Sequence, residues 1–194
     1  MKLHLPIPLR AVLLSALISF VGFSSGAQVK VIGGCYSLSS GSVQSDGDIL
    51  WSDYDRLIFC YNESASYGGC FYSNHYSGAG SELFDINCLY FHHNKASAGG
   101  SIYAYWSQGL KIHDCSRVYF ESNTATGELG GGAIYSGCTI YKVENLTFDS
   151  NRSTAGCGGA ISCGGAPIRI QYCDSVSFKH NFAYFLTNHG LFLI

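Results

Sequence analysis

The sequence is poor in charge, and it contains no run of basic residues. Its 194 residues include 11 Lys and Arg against 13 Asp and Glu, which gives a formal net charge of -2 at pH 7. Proteins that bind nucleic acid neutralise phosphates with clustered Lys and Arg. The composition therefore predicts that nucleic acid is not a partner of this chain.

Long hydrophobic runs and proline are also scarce after the N-terminus. The chain opens with Lys2 and Arg10, runs through apolar residues 11–23 and reaches small residues before Gln28. As a helix that run would extend about 20 Å, short of the roughly 30 Å hydrocarbon core of a bilayer. The pattern predicts a cleaved signal peptide over residues 1–27 and one exported domain over residues 28–194. In that domain Pro167 is the single proline, and no stretch reaches the roughly 18 apolar residues of a membrane-spanning helix.

One ungapped block of sequence recurs five times. Each copy has a period-2 pair of mostly apolar residues, two steps of three residues and a second period-2 pair. Such spacing does not follow one helical stripe, whereas it fits short strands joined by bends, with one face of each strand turned inward. Tyr119, Glu121, Thr147 and Asp149 are then predicted to point outward. The blocks are Ile49–Asn62, Ser81–Asn94, Leu110–Asn123, Cys138–Asn151 and Ile168–Asn181.

Each block ends in an F-x-x-N motif, and a Gly-Gly motif follows each of the first four blocks. Paired glycines supply the positive φ of a tight corner, and Asn also tolerates that region. Both motifs are therefore predicted to form corners, and Gly33-Gly34 suggests an additional N-terminal coil. The motif residues with the clearest pattern are Phe59, Asn62, Phe91, Asn94, Phe120, Asn123, Gly131, Gly132, Ala133, Ile134, Phe148, Asn151, Gly158, Gly159, Ala160, Ile161, Phe178 and Asn181.

The repeat period indicates the architecture. Successive motif phenylalanines lie 28 to 32 residues apart, a period typical of solenoids, whereas a propeller blade needs about 40 residues. Stacked coils hydrogen-bond along the solenoid axis, so their strands keep register while the connections vary in length. The sequence predicts an all-β solenoid of about five to six coils, with the phenylalanines stacked inside and the asparagines aligned at one corner.

The alternation of F-x-x-N with G-G-A-I resembles the paired tetrapeptides of the chlamydial polymorphic membrane proteins. Phe120–Asn123 with Gly131–Ile134, and Phe148–Asn151 with Gly158–Ile161, match most closely, and the resemblance covers roughly residues 33–192. It implies a right-handed parallel β-helix of the kind carried as an autotransporter passenger, at the cell outer membrane or surface or outside the cell. It also implies a virulence-associated, non-enzymatic adhesin that binds a host-cell surface protein or glycan and needs no cofactor.

The polypeptide after the last motif is short. Full-length members of that family end in a translocating barrel, which takes more than about a hundred residues, whereas 13 residues follow Asn181. The domain is therefore interpreted as a truncated passenger without the C-terminal barrel. A non-functional remnant of a larger autotransporter remains an alternative.

A polysaccharide lyase or hydrolase is the catalytic alternative, because such enzymes also use right-handed β-helices. No acidic residue matches the densest acidic group in the following coil, so a solvated face is the favoured interpretation of that group. No H-x-x-x-H or C-x-x-C pair accompanies the scattered histidines. No catalytic residue and no metal site are predicted. The acidic group consists of Asp46, Asp48, Asp53 and Asp55.

The nine cysteines all follow residue 27 and would enter an oxidising compartment, and their odd number leaves at least one without a partner in the chain. Cys115 and Cys173 share one inward position of the block, where free Cys behaves as a small hydrophobe. Cys35 and Cys70 each follow a Gly-Gly pair, so they are expected in adjacent coils and could form a disulfide. For the cysteines as a group, buried thiols are favoured. The resemblance implies intermolecular disulfides.

Exposed aromatic residues are the candidates for a contact surface. Tyr90 and Tyr119 are predicted to point outward from the strands, and Tyr103, Tyr105 and Trp106 are expected in a loop. Tyr and Trp are enriched in binding patches. Covering the neighbouring coil is the equally favoured role for some of these tyrosines.

The C-terminal edge generates a prediction about self-association. The last coil is expected to leave the backbone groups and apolar side chains of residues 182–194 without a neighbour, and an uncovered edge is a template for pairing with another chain. The exported domain should self-associate at micromolar concentration, and an appended polar capping coil should make it monomeric, as measured by light scattering. A monodisperse monomer without the added coil would contradict a truncated passenger.

Overall fold

The computed structural model describes residues 28–38, 40–45, 50–73, 80–105, 109–164, 166–187 and 190–193. The predicted signal peptide lies outside these residues, as do Asp46, Asp48 and Trp106. All regular elements in the described ranges are strands, and no helix there is long and apolar enough to cross a membrane. The strands are β1 Val29–Gly33, β2 Tyr36–Ser37, β3 Val43–Ser45, β4 Leu50–Trp51, β5 Arg56–Cys60, β6 Glu63–Ser64, β7 Phe71–Ser73, β8 Ser81–Phe84, β9 Cys88–His92, β10 Lys95–Ala98, β11 Ile102–Ala104, β12 Leu110–Glu121, β13 Thr124–Gly130, β14 Ile134–Tyr135, β15 Cys138–Asp149, β16 Arg152–Ser153, β17 Ile161–Ser162, β18 Arg169–Gln171, β19 Ser175–Lys179, β20 Phe182–Thr187 and β21 Gly190–Leu193.

The strands form three sheets that the chain visits in turn. The first sheet contains β1, β4, β5, β8, β9, β12, β15, β18 and β19, the second contains β2, β6, β10, β13, β16, β20 and β21, and the third contains β3, β7, β11, β14 and β17. Apart from β20 with β21, all paired strands are parallel, and each pairs with its equivalent about one repeat away. The predicted β-solenoid is therefore confirmed, with about five turns.

A continuous phenylalanine stack fills the centre of the solenoid. Phe59, Phe91, Phe120, Phe148 and Phe178 follow one another at ring centroid distances of 4.9, 4.7, 4.8 and 4.8 Å, with interplanar angles of 4° or less. The first four rings have no exposed surface, whereas Phe178, at the end of the stack, is 54% exposed. The block pattern thus has the inward register that the sequence predicted.

An asparagine ladder lies at the corner between the first and second sheets. The Oδ1 atom of Asn123 accepts hydrogen bonds from the backbone N and the Nδ2 of Asn94, each at 3.0 Å. Its Nδ2 donates to the Phe91 carbonyl oxygen at 3.0 Å and to Asn151 Oδ1 at 2.9 Å. An amide side chain has two acceptor lone pairs and two donor hydrogens. Every one of them is used, although Asn123 is completely buried.

The left-handed conformation that was predicted for the corner asparagines is found one residue earlier in the chain. The positive φ belongs to the residue before each Asn, for example 54° at Ser122 and 56° at Ser150. The chain turns at that residue, so the Asn that follows points into the solenoid, where its amide satisfies the backbone groups that the corner leaves without strand partners. A second corner divides β12 and β15, with φ of 50° at Asp114 and 52° at Lys142.

The Gly-Gly motif forms the corner that leads into the third sheet. Gly131 has a φ of 71°, and a Cβ on the following Gly132 would clash with the carbonyl oxygen of Gly159 in the next coil. The first glycine is therefore required by the turn, because L side chains rarely adopt that φ. The second is required by the close approach of neighbouring backbones.

The additional N-terminal coil exists, but its register differs from the prediction. Gly33 lies opposite Cys60, so Gly34 occupies the left-handed corner and Cys35 occupies the asparagine position, where its backbone N donates to Asn62 Oδ1 at 3.3 Å. A Cβ on Gly41 would lie 2.6 Å from the Gly68 carbonyl oxygen, which places Gly41 at the Gly-Gly corner instead. The predicted shared position of Cys35 and Cys70 is therefore wrong.

All nine cysteines are free thiols. Cys35 lies at the asparagine corner, whereas Cys70 is buried after the Gly-Gly corner, so the bridge considered for this pair is not formed. Burial raises the pKa of the Cys70 thiol well above its ordinary value, and it raises that of Cys115 to about 11. The inward position predicted for Cys115 is confirmed.

The C-terminal strand pairing also corrects an expectation. Strand β21 pairs antiparallel with β20, with Leu186 opposite Leu191 and Thr187 opposite Gly190. The edge of the second sheet at β20 therefore has a neighbour, contrary to the expectation for residues 182–194. In the first sheet, Val176 and Phe178 of β19 are 42% and 54% exposed.

The ladder generates a stability prediction. Asn123→Ala should leave the Phe91 carbonyl oxygen and the neighbouring amides without buried partners, and it should lower the free energy of unfolding by about 2–4 kcal/mol. The matched control is Asn145→Ala, because Asn145 is exposed and its loss should cost less than about 0.5 kcal/mol. Denaturant unfolding followed by circular dichroism measures both. Equal losses would show that the ladder contributes no specific stability.

Candidate binding surface

The outward face of the first sheet carries three aligned columns of side chains, here called the outer grid. It is formed by β5, β9, β19 and the C-terminal halves of β12 and β15, which lie side by side in register. Neighbouring strands are about 4.8 Å apart and outward residues along one strand about 6.6 Å apart. The columns are Arg56, Cys88, Arg117, Asn145 and Ser175; Ile58, Tyr90, Tyr119, Thr147 and Ser177; and Cys60, His92, Glu121, Asp149 and Lys179.

A depression of about 430 Å³ lies near the middle of the outer grid. Its floor is rigid, because the strands beneath it are fixed on their inner side by the phenylalanine stack. Side chains from four neighbouring strands therefore reach one solvent-facing space. The lining residues are Arg56, Cys88, Tyr90, Tyr119, Phe120, Glu121, Thr147 and Asp149.

Two tyrosines form the aromatic part of the depression. Tyr90 and Tyr119 meet edge to face, with centroids 5.5 Å apart and planes at 74°. Tyr90 also contacts the His92 ring at 4.7 Å. The Nδ1 atoms of His92 and His93 lie 3.2 Å apart, and burial, followed by the charge of His93, lowers the pKa of His92.

Charged groups lie on both sides of the tyrosines. Glu121 lies opposite Asp149 in the register of β12 with β15. Asp149 Oδ1 accepts a hydrogen bond from Ser150 Oγ at 2.9 Å and faces His180 Nδ1 at 3.0 Å. The His180 contact is the main reason that the pKa of Asp149 is lowered. On the other side, Arg56 is exposed and forms no ion pair within the described part of the chain.

A second aromatic group, on the third sheet, is largely covered. The Tyr103 ring stacks on Tyr135 at 5.1 Å and contacts Tyr67 at 4.4 Å with a tilt of 31°, and Tyr103 and Tyr135 are each 5% exposed. Burial raises the pKa of Tyr103. Tyr103 therefore covers neighbouring coils, whereas Tyr105 is 41% exposed.

An ion-pair network spans the outward face on the other side of the Asp114 corner. The His113 ring stacks between Phe84 and Tyr141, at centroid distances of 5.2 and 4.7 Å. Its Nε2 lies 3.4 Å from Glu82 Oε2 and its Nδ1 lies 2.7 Å from Asp114 Oδ2. The two carboxylates thus occupy opposite sides of the ring, so the three groups do not converge on one point.

The described residues contain no group of three His, Cys, Asp or Glu side chains that could hold a metal ion. The two members of the predicted acidic group that lie within the described residues, Asp53 and Asp55, accept hydrogen bonds from neighbouring side chains. Asp53 Oδ2 accepts a hydrogen bond from Ser52 Oγ at 2.6 Å, and Asp55 Oδ1 accepts one from Asn87 Nδ2 at 2.9 Å.

The residues of the repeat motifs lie in the core and at the corners, and apart from Phe120 none lines the depression. The outward residues found from the strand period do line it: Tyr90, Tyr119, Glu121, Thr147 and Asp149 share this surface. Sequence reasoning missed Arg56. The strand period could have identified it, because Arg56 lies two residues before the outward Ile58 in the aligned block.

The sequence contains three tripeptides of the glycosylation type N-x-S/T, which begin at Asn62, Asn145 and Asn151. Two of the three asparagines are inaccessible. Asn62 and Asn151 are buried, and their Nδ2 atoms donate within the ladder. Asn145 is exposed on the outer grid.

Comparisons with known proteins agree with the repeat pattern. The Chlamydia polymorphic membrane protein repeat model matches residues 117–137 and 145–164. A relative named "Probable outer membrane protein pmp6", from Chlamydia pneumoniae, is 35% identical over 117 residues, which cover 57% of this chain and 8% of that protein. The match therefore covers less than a tenth of the length of this relative. No solved structure matches.

The ion-pair network generates a prediction about pH. The hydrogen bond from Lys111 Nζ at 2.7 Å is the main reason that the pKa of Glu82 is lowered. A lowered carboxyl pKa contributes stability above the ordinary pKa of Glu, and this contribution is lost as the pH falls through the lowered value. Lys111→Met should therefore cost about 0.5–1 kcal/mol at pH 7 and nothing below the lowered pKa, as measured by urea unfolding from pH 7 to pH 2.5. In a Glu82→Gln background, the cost should not vary with pH.

Proposed function

Because the chain belongs to the chlamydial polymorphic membrane protein family, we propose that it is a surface-exposed, passenger-like module that binds a host-cell surface through the outer grid, without catalysing a reaction. The name of the Chlamydia pneumoniae relative supports an outer-membrane or surface location and export. The match covers a small share of that protein. The comparison therefore supports this location for the repeat domain and carries no argument about the rest of the relative.

The outer grid carries this proposal. A solenoid holds its outward side chains in fixed columns, so a ligand meets a surface that needs no ordering on binding. Tyr90 and Tyr119 supply half-buried rings, and Arg56, Glu121 and Asp149 supply hydrogen-bonding groups around them. Tyr and Arg are enriched among the residues that contribute most to binding.

A polysaccharide hydrolase is the second candidate, because Glu121 and Asp149 lie opposite each other on adjacent strands. Retaining glycosidases place two carboxyl groups about 5–5.5 Å apart, and one of them keeps a raised pKa so that it can act as the acid. Here the pKa of Asp149 is lowered, so Asp149 does not supply the acid, and the depression is open to water, whereas catalytic sites commonly exclude it. The open depression therefore favours binding over hydrolysis. Release of reducing ends from a polysaccharide panel would reverse this preference.

Binding to cells tests the proposal. The fluorescently labelled protein should bind cultured host epithelial cells in flow cytometry, and Tyr119→Ala should weaken binding by about tenfold or more, as expected for a residue worth at least about 1.4 kcal/mol. Tyr36→Ala is the matched control, because Tyr36 is 57% exposed and lies outside the outer grid.

Both variants should unfold at the same denaturant concentration as the unmodified protein within error, since neither tyrosine belongs to the core. Absence of cell binding by the folded protein would overturn the proposal. Equal losses for the two variants would exclude the outer grid as the binding surface.

A further inference from the structure

We infer that the depression on the outer grid binds the uncharged sugar residues of a glycan, seated against Tyr119 and Tyr90, with Arg56 as a hydrogen-bonding group at one end and Glu121 and Asp149 at the other. This inference rests on the proposed function and specifies the ligand class of the same surface. A protein ligand and an anionic glycan are the alternatives that the geometry argues against.

The size of the surface favours a small ligand. Three columns on five strands extend about 13 Å by 19 Å, or about 250 Å². A stable protein interface needs about 800 Å² from each partner, so a protein ligand would have to extend beyond the outer grid, onto β1 or past the Asp114 corner. The depression of about 430 Å³ falls instead within the range of about 300–1,000 Å³ that is usual for small-molecule sites.

The aromatic geometry favours a ligand with an apolar face. On the third sheet, the tyrosines stack in near-parallel pairs and cover each other, as Tyr103 and Tyr135 do at 11°. In the depression, the 74° angle between Tyr90 and Tyr119 prevents the two rings from covering each other face to face. An aromatic face carries negative charge density. The C–H groups on one side of a sugar ring can pack against it.

The polar groups favour hydroxyls over acidic substituents. Carboxylates only accept hydrogen bonds, and a guanidinium offers five donors, so Glu121, Asp149 and Arg56 can bind hydroxyls in both directions. Ser150 and His180 both contact Oδ1 of Asp149, so its Oδ2 is available to accept a hydrogen bond from a ligand. Among the residues that line the depression, two carboxylates accompany one guanidinium, and this local charge disfavours the carboxylate of a sialic acid or the sulfate of a glycosaminoglycan. The cations Arg117 and Lys179 belong to the outer grid but lie outside this lining.

A glycan array tests the ligand class. The array should carry uncharged oligosaccharides ending in galactose, mannose or N-acetylglucosamine, their sialylated and sulfated counterparts, and blank spots. The labelled protein should bind a subset of the uncharged glycans at least about tenfold more strongly than their acidic counterparts. Tyr119→Ala and Arg56→Ala should each reduce that signal by about tenfold, whereas Tyr36→Ala should leave it unchanged.

A charge reversal sharpens the test. Glu121→Lys replaces one carboxylate with a cation, so it should raise the signal on sialylated and sulfated spots relative to the uncharged ones. Preference of the unmodified protein for acidic glycans, or absence of any array signal, would overturn the inference.

Treatment of the host cells separates this inference from the proposed function. If a mixture of glycosidases abolishes cell binding, the glycan is the ligand. If binding survives the glycosidases and is lost after protease treatment of the cells, the ligand is a protein, so the sugar inference fails and the proposed function stands. Absence of binding to untreated cells would contradict both the sugar inference and the proposed function.

Discussion

The asparagine ladder at the first corner is the interaction on which the register of the solenoid depends. The amides of Asn94, Asn123 and Asn151 each accept two hydrogen bonds from the coil before and donate to the next coil and to a strand-end carbonyl. Because the side-chain period of a strand is two, a slip of one residue would turn the phenylalanine stack to the outside. A slip would also leave four polar groups per amide without partners, at a cost of about 1–3 kcal/mol for each unsatisfied group.

The same constraint produces the outer surface. When the inward residues are fixed at one repeat per coil, the residues between them must form columns about 4.8 Å apart. Tyr90 and Tyr119 are neighbours for this reason, although 29 residues separate them in the chain. Substitutions at outward positions do not disturb the core, so the repeat can present different chemistry on one scaffold. The motif residues and the surface residues are therefore separate sets, the first required for folding and the second available for the binding that we propose.

The differences between prediction and structure have local physical causes. At the F-x-x-N corner, the left-handed residue is the one before Asn, because the Asn side chain must point inward to reach the ladder. Near the N-terminus, Gly33-Gly34 has the composition of the Gly-Gly corner, but β1 pairs with β5 in a register that places Gly34 at the asparagine corner. Composition could not separate these two uses of glycine. The pairing with the next coil decides between them.

The sequence by itself determined the solenoid, the inward phenylalanines, the outward direction of Tyr119 and Asp149, and the resemblance to the polymorphic membrane protein repeats. These features follow from periods of two and of about 30 residues, which are written along the chain. The tertiary structure decided which outward residues meet, because Arg56, Glu121 and Asp149 are brought together only when coils stack in register. It also decided that Tyr103 is covered while Tyr119 lines a depression. Exposure of an outward side chain depends on its neighbours in other coils, and a one-dimensional pattern does not contain them.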